Sequence, residues 1–252
     1  MFEANRMALQ LGQALGRGAR RALSVSGIVA LVLTICYQVV FVGSFNTIVV
    51  NQLPSSVQPG AVGTIGFTLP LSTEVAAALG GAALLLGIGV FLVTARLLTR
   101  DLSKLSSLPG DLFIRRIGRA FLSALVVSVI LAVTIPLGFA LLFIPGLFLT
   151  VSLQFALFAV AVEDTGPVDA LRRSWELASG NRWRLLALVI LFGVLGGIGG
   201  AVGSLFAFVS PSIGQLASLV INSVLVILMY GILADSFVQL RSGAAPSTSS
   251  LA

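Results

Sequence analysis

Histidine is absent from this 252-residue chain, and cysteine and lysine occur once each, as Cys36 and Lys104. Without histidine there is no Ser–His–Asp triad, no zinc motif built on histidine and no imidazole proton relay. A single cysteine rules out a disulfide framework within the chain and a cysteine-rich metal site. Charge is scarce as well: 10% of residues are Asp, Glu, Lys or Arg, against about 25% in a soluble domain. What fills the chain instead is apolar: 57% hydrophobic residues and a mean hydropathy of +1.08. One water-soluble core cannot hide that much apolar surface, so the solvent that accepts it is lipid.

Four stretches are strongly apolar, with little or no charge. Ser24 to Phe45 and Glu74 to Leu98 each have the length of one membrane crossing, about 20 residues. The first is too long for the apolar core of a cleaved signal peptide. Residues 120–162 carry no charge, and as one helix they would be about 65 Å long, roughly twice the hydrocarbon thickness. They must double back, with Pro136–Gly138 and Pro145–Gly146 as turn candidates. Residues 185–234 are also uncharged and divide at Ser210-Pro211-Ser212. The expected fold is therefore all-α: a polytopic transmembrane helix bundle of six spans, arranged as three hairpins with short interfacial helices. The spans fall near 24–45, 74–98, 119–138, 146–162, 185–209 and 213–237, within a transmembrane domain of 24–240. Residues 1–23 form an interfacial segment and 241–252 a disordered tail rich in Ser and Ala.

With those spans, all 15 basic residues fall on one side. Arg6, Arg17, Arg20 and Arg21 precede span one. Arg96, Arg100, Lys104, Arg115, Arg116 and Arg119 lie between spans two and three. Arg172, Arg173, Arg182 and Arg184 lie between spans four and five, and Arg241 follows span six. Loops rich in Lys and Arg stay in the cytoplasm, which predicts a plasma-membrane protein with both termini cytoplasmic. The excess charge of +6 and pI of about 11.0 then point to the bilayer and its anionic lipid headgroups as partners rather than nucleic acid. A second copy or another membrane protein is a further candidate partner.

The loops differ in character. Residues 46–73 are uncharged and read as an irregular external loop around Pro54, Pro59 and Pro70. Ala4, Ala8, Leu11 and Leu15 share a helical face, so the amino-terminal segment is either an interfacial amphipathic helix or a solvated extension. Pro109-Gly110 splits the connector 101–116, whose Leu108, Asp111, Leu112, Phe113 and Arg115 mix charge with apolar residues. Thr165 and Pro167 suit a helix start, and Gly180 followed by Asn181 suits its end. Between them Val168, Leu171, Trp175 and Ala178 form an apolar stripe, Asp169 is spaced to pair with Arg172 or Arg173, and Glu176 lies a turn beyond. Basic residues also precede each odd-numbered span in similar words (16–32, 115–130, 180–195), a repeat that entry from one side of a membrane also demands.

Residues 162–185, VEDTGPVDALRRSWELASGNRWRL, together with the Pro145-Gly146 turn and apolar span before them, carry a family likeness. The stretch resembles six-span membrane proteins of unknown function, mainly haloarchaeal. It is more distantly similar to the membrane domain attached to some glycerophosphodiester phosphodiesterases. The resemblance implies the membrane fold. It does not bring the phosphodiester chemistry, which belongs to a separate catalytic domain with histidines and a metal site.

No residue pattern predicts a catalytic, cofactor or metal site, and no cofactor is expected. Gln154 and Asn222 are the deepest strongly polar side chains, expected to hydrogen-bond between helices rather than to line a path. Asp235 lies near a span end, where Arg241 or an arginine of the 172–184 loop is its expected partner. Gly196/Gly200 and Gly199/Gly203 are overlapping GxxxG pairs suited to close helix packing. The leading expectation is a non-enzymatic packing, assembly or envelope-maintenance factor. The alternatives are a transporter or lipid-handling carrier using Gln154, Asn222 and Tyr37, and a lipid-acting enzyme using Glu163, Asp164 and Asp169 to hold a divalent cation.

Overall fold

A computed structural model describes residues 9–54, 56, 65–106, 110 and 116–244. Expectations for Ala4, Arg6, Ala8, Pro59, the Pro109 split, Asp111, Arg115 and the 245–252 tail lie outside these residues. The described chain is helical: α1 (Leu11–Ala22), α2 (Val25–Gln52), α3 (Thr73–Leu98), α4 (Ile117–Leu141), α5 (Phe143–Leu153), α6 (Ala156–Glu163), α7 (Pro167–Ala178), α8 (Arg182–Leu205) and α9 (Pro211–Ala244). Single 3-10 turns sit at 102–104 and 206–208. Six helical stretches are long and apolar enough to cross a membrane, with α5 and α6 together making the fourth. The chain divides into two compact units, 1–27 with 92–191 and 228–252, and 28–91 with 192–227.

Several elements correct the sequence expectations. The first span does not stop at Phe45; α2 continues to Gln52, because the polar residues Asn46, Thr47 and Asn51 carry a returning chain on one flank. Asn46 donates to Phe67 O (2.8 Å) and to Gln215 Oε1 (2.9 Å), Thr47 Oγ1 donates to Leu69 O and accepts from its N–H, and Asn51 donates to Leu71 O. The 46–73 segment is thus helix at its start and a hydrogen-bonded return at its end. The last span likewise runs past residue 237 to Ala244.

The third and fourth spans turn at neither proline. Pro136 lies inside α4, and the chain reverses at Leu142, whose extended backbone (φ −161°, ψ 144°) separates α4 from α5. Pro145 falls in the first turn of α5, where its missing N–H has no intrahelical partner to lose. Gly138 and Gly146 let the two arms touch: a Cβ on Gly138 would meet Gly146 Cα at 3.0 Å.

Helices α1 and α7 bury faces other than those their large apolar residues suggest. In α1 the buried residues are Ala14, Gly18 and Arg21, while Leu15 is exposed. In α7 they are Ala170, Ser174, Leu177 and Ala178, while Val168 is 67% and Trp175 41% exposed. The buried faces are mostly small residues, Ala14 and Gly18 in α1 and Ala170, Ser174 and Ala178 in α7, which permit close approach of a neighbouring helix. Helix α1 packs against α9, where Gly18 sits on the backbone of Ile232.

Candidate functional site

The first unit contains two buried arginines that do the same thing. A helix ends with up to four carbonyls that lack intrahelical donors and with the negative end of its dipole. Arg21, at the end of α1, donates from Nη1 to Leu98 O (2.6 Å) and to Arg100 O, at the end of α3. Its Nε donates to Asp235 Oδ1 in α9 at 3.2 Å. Arg21 is 4% and Asp235 2% exposed. Arg96, in the last turn of α3, donates from Nε to Ala161 O (2.8 Å) near the end of α6, and from Nη2 to Asp164 Oδ1 (3.1 Å). Each guanidinium therefore caps another helix's carboxyl end and is neutralised by one aspartate. Together the two clasps join α1, α3, α6 and α9.

Each clasp has auxiliary contacts. Arg17 Nε lies 3.2 Å from Asp235 Oδ2 as an ion pair, without the alignment of a hydrogen bond. Gln239 donates to the same Oδ2 at 2.8 Å, and its own Oε1 accepts the Gln10 N–H. Asp164 sits at φ +52°, a left-handed conformation that Asp and Asn enter more readily than other side chains. That kink turns the carboxylate back over the end of α6. Next to it, Arg173 pairs with Glu163 (3.3 Å) and more distantly with Glu176 (3.9 Å).

The fourth span is interrupted at Gln154–Phe155. There Ser174 of α7 bridges the gap: its Oγ donates to Ser152 O (2.9 Å) and accepts the Phe155 N–H (3.1 Å). All three residues are buried. Ser174→Ala should orphan both backbone groups and cost about 1–3 kcal/mol. Thermal unfolding of the purified protein in detergent measures the loss, and Ser174→Thr, which keeps the hydroxyl, tests whether the bridge is its cause.

The residues singled out from sequence are scattered by the fold. Gln154 lies at the interruption with its Nε2 buried and without a hydrogen-bond partner among the described residues. Asn222 is exposed on α9 rather than bonded between helices. Asp235 pairs with Arg17 and Arg21, not with Arg241, which lies over the Phe237 ring at 6.0 Å. Asp169 and Arg172 are both exposed and make no ion pair with each other. Thr165 does not cap α7; Gly166 holds that position. Gly180 does end the helical region, at φ +82°, and Asn181 is buried, its side-chain oxygen accepting the Leu9 N–H at 2.9 Å. Trp175 meets Phe148 edge to face, 5.4 Å between centroids. Glu163, Asp164 and Asp169 do not converge; among the described residues no group of three metal-ligating side chains could hold an ion.

The glycine pairs separate in the second unit. Gly199 and Gly203 face α9, where added Cβ atoms would strike Leu225, Ile221 and Ser218. Gly196 and Gly200 meet nothing within 4 Å. Arg21, Arg96 and Ser174 are what sequence reading missed. Each carried a faint signal: Arg96 lies inside the apolar run 74–98, Arg21 is the last basic residue before the first run, and Ser174 stands between the larger Arg173 and Trp175.

A search of curated proteins returned no match, and neither did a search of solved structures. One family model does match, over residues 9–240, and it covers both clasps, the interrupted span and all six apolar helices: the chain belongs to the family described as Domain of unknown function (DUF7847).

Proposed function

We propose that this integral membrane protein is a non-enzymatic scaffold, a packing, assembly or envelope-maintenance factor of the plasma membrane. One observation carries the reading: its two deeply buried arginines are spent on holding helix ends together. A catalyst or an ion-coupled carrier keeps ionisable groups aimed at a cavity, whereas Arg21, Asp235, Arg96 and Asp164 are aimed at one another and at carbonyls. The segregation of all 15 basic residues to one side supports cytoplasmic termini, with that basic face against anionic headgroups.

The test is genetic and biochemical together. Cells lacking the chain should show altered levels of other membrane proteins or a leakier envelope, restored by the wild-type gene. Unchanged levels and integrity, combined with solute or lipid movement by the purified protein in vesicles, would overturn the scaffold in favour of a carrier.

A further inference from the structure

Beside the interrupted span the first unit has a groove of about 350 Å³, within the roughly 300–1,000 Å³ range of small-molecule sites. Its wall is Ile144, Leu147, Phe148 and Val151 of α5, facing Arg182, Trp183 and Leu186 at the start of α8. The lining is apolar except for one cation. The Arg182 guanidinium carbon lies 4.6 Å from the centroid of Phe148 and 4.9 Å from that of Trp175. Ring faces hold a guanidinium by its π surface and leave its in-plane N–H donors unspent. Its Nε is buried with no hydrogen-bond partner among the described residues. No described carboxylate pairs with it, although Arg17, Arg21, Arg96 and Arg173 all have one.

A fixed fork of donors at the end of an oily groove matches an oxyanion, phosphate or carboxylate, joined to a hydrocarbon chain. The groove opens on a surface that keeps Trp183 84% and Ile144 77% exposed, on helices long and apolar enough to cross a membrane. Trp at such a position favours the headgroup zone, where lipid phosphates are concentrated. We propose that this groove holds an anionic phospholipid, its phosphate on Arg182 and one acyl chain along Ile144, Leu147, Val151 and Leu186. The site goes beyond the scaffold reading and does not depend on it.

The chain's two tryptophans, Trp175 and Trp183, both border this place, so their fluorescence reads it directly. The full chain is reconstituted in phosphatidylcholine vesicles, and a chain-brominated lipid, either phosphatidylglycerol or phosphatidylcholine, is titrated in as quencher. Phosphatidylglycerol should quench at a lower mole fraction. Arg182→Gln should weaken that preference about tenfold or more, the scale of a hydrogen-bonded charge pair, while the exposed neighbour Arg184→Gln, which only adds to the surface potential, should weaken it about fivefold or less. Leu147→Trp would confuse the signal, so Leu147→Phe serves as the second variant: it fills the groove, keeps the charge, and should also reduce the preference. Equal quenching by both lipids, or equal loss in Arg182→Gln and Arg184→Gln, overturns the site. Inorganic phosphate, titrated in neutral detergent, should leave the fluorescence unchanged; an Arg182-dependent change with phosphate alone would assign the site to a free anion instead.

Discussion

Asp235→Ala should destabilise the folded protein by about 3–5 kcal/mol, the cost of leaving a buried charge without its partner. The reason lies in what remains. Arg21 stays buried with its Nη1 on Leu98 O and Arg100 O, but its charge is no longer balanced. Arg17 loses its carboxylate, and the Gln239 amide loses its acceptor. Rearrangement is blocked by the packing of α1: a Cβ on Gly18 would already fall within 2.7 Å of the Ile232 backbone, so α1 cannot slide to carry Arg21 outward. Asp235→Asn should cost less, because an amide oxygen still accepts the Nε–H. The discriminating variant is the pair Arg21→Met with Asp235→Leu. Removing both charges leaves the end of α3 uncapped but nothing ionised inside, and the pair should be clearly more stable than Asp235→Ala alone. Thermal unfolding in detergent reads all three against the wild type; for a chain of this size the Asp235→Ala loss corresponds to a melting shift on the order of 10 °C. A double variant no better than the single one would show that the cap, not the charge balance, holds α1.

The six spans were legible because hydrocarbon solubility is written locally: each run of apolar residues is long enough alone, and arginines bracket each pair. What was not legible depends on distance or on solvent. Arg21 and Asp235 lie 214 positions apart, and local spacing favours Arg241, one and a half turns on. The turn at Leu142 has no proline or glycine of its own to announce it; it follows from Gly138 and Gly146 touching. The stripe Val168, Leu171, Trp175 and Ala178 was sound arithmetic for a helix in water. Of that stripe only Ala178 is buried; the packed face is Ala170, Ser174, Leu177 and Ala178, mostly small residues that permit close approach. Depth singles out Gln154 in the sequence, but the interruption of the span beside it and its bridging by Ser174 depend on the packing of α7, which local spacing does not show.

Arg96→Leu is the second variant expected to cost about 3–5 kcal/mol, and it separates two contributions that the Arg21 clasp mixes. Losing the guanidinium removes the donor to Ala161 O and the Arg96 ion pair of the mostly buried Asp164. Asp164 is also held at φ +52°, so its own substitutions report charge and backbone separately. Asp164→Asn keeps an acceptor for Arg96 and a side chain tolerant of that conformation. Asp164→Gly removes the acceptor but fits the backbone best, and Asp164→Ala removes the acceptor and strains the backbone by about 1 kcal/mol more than glycine. The expected order of melting temperature is therefore wild type, Asn, Gly, Ala. Combining Arg96→Leu with Asp164→Gly should recover part of the Arg96→Leu loss, because the carboxylate that Arg96 balanced is then gone as well. If the double variant instead falls by the sum of its parts, the two side chains act independently, and α3 is joined to α6 through the Ala161 carbonyl alone.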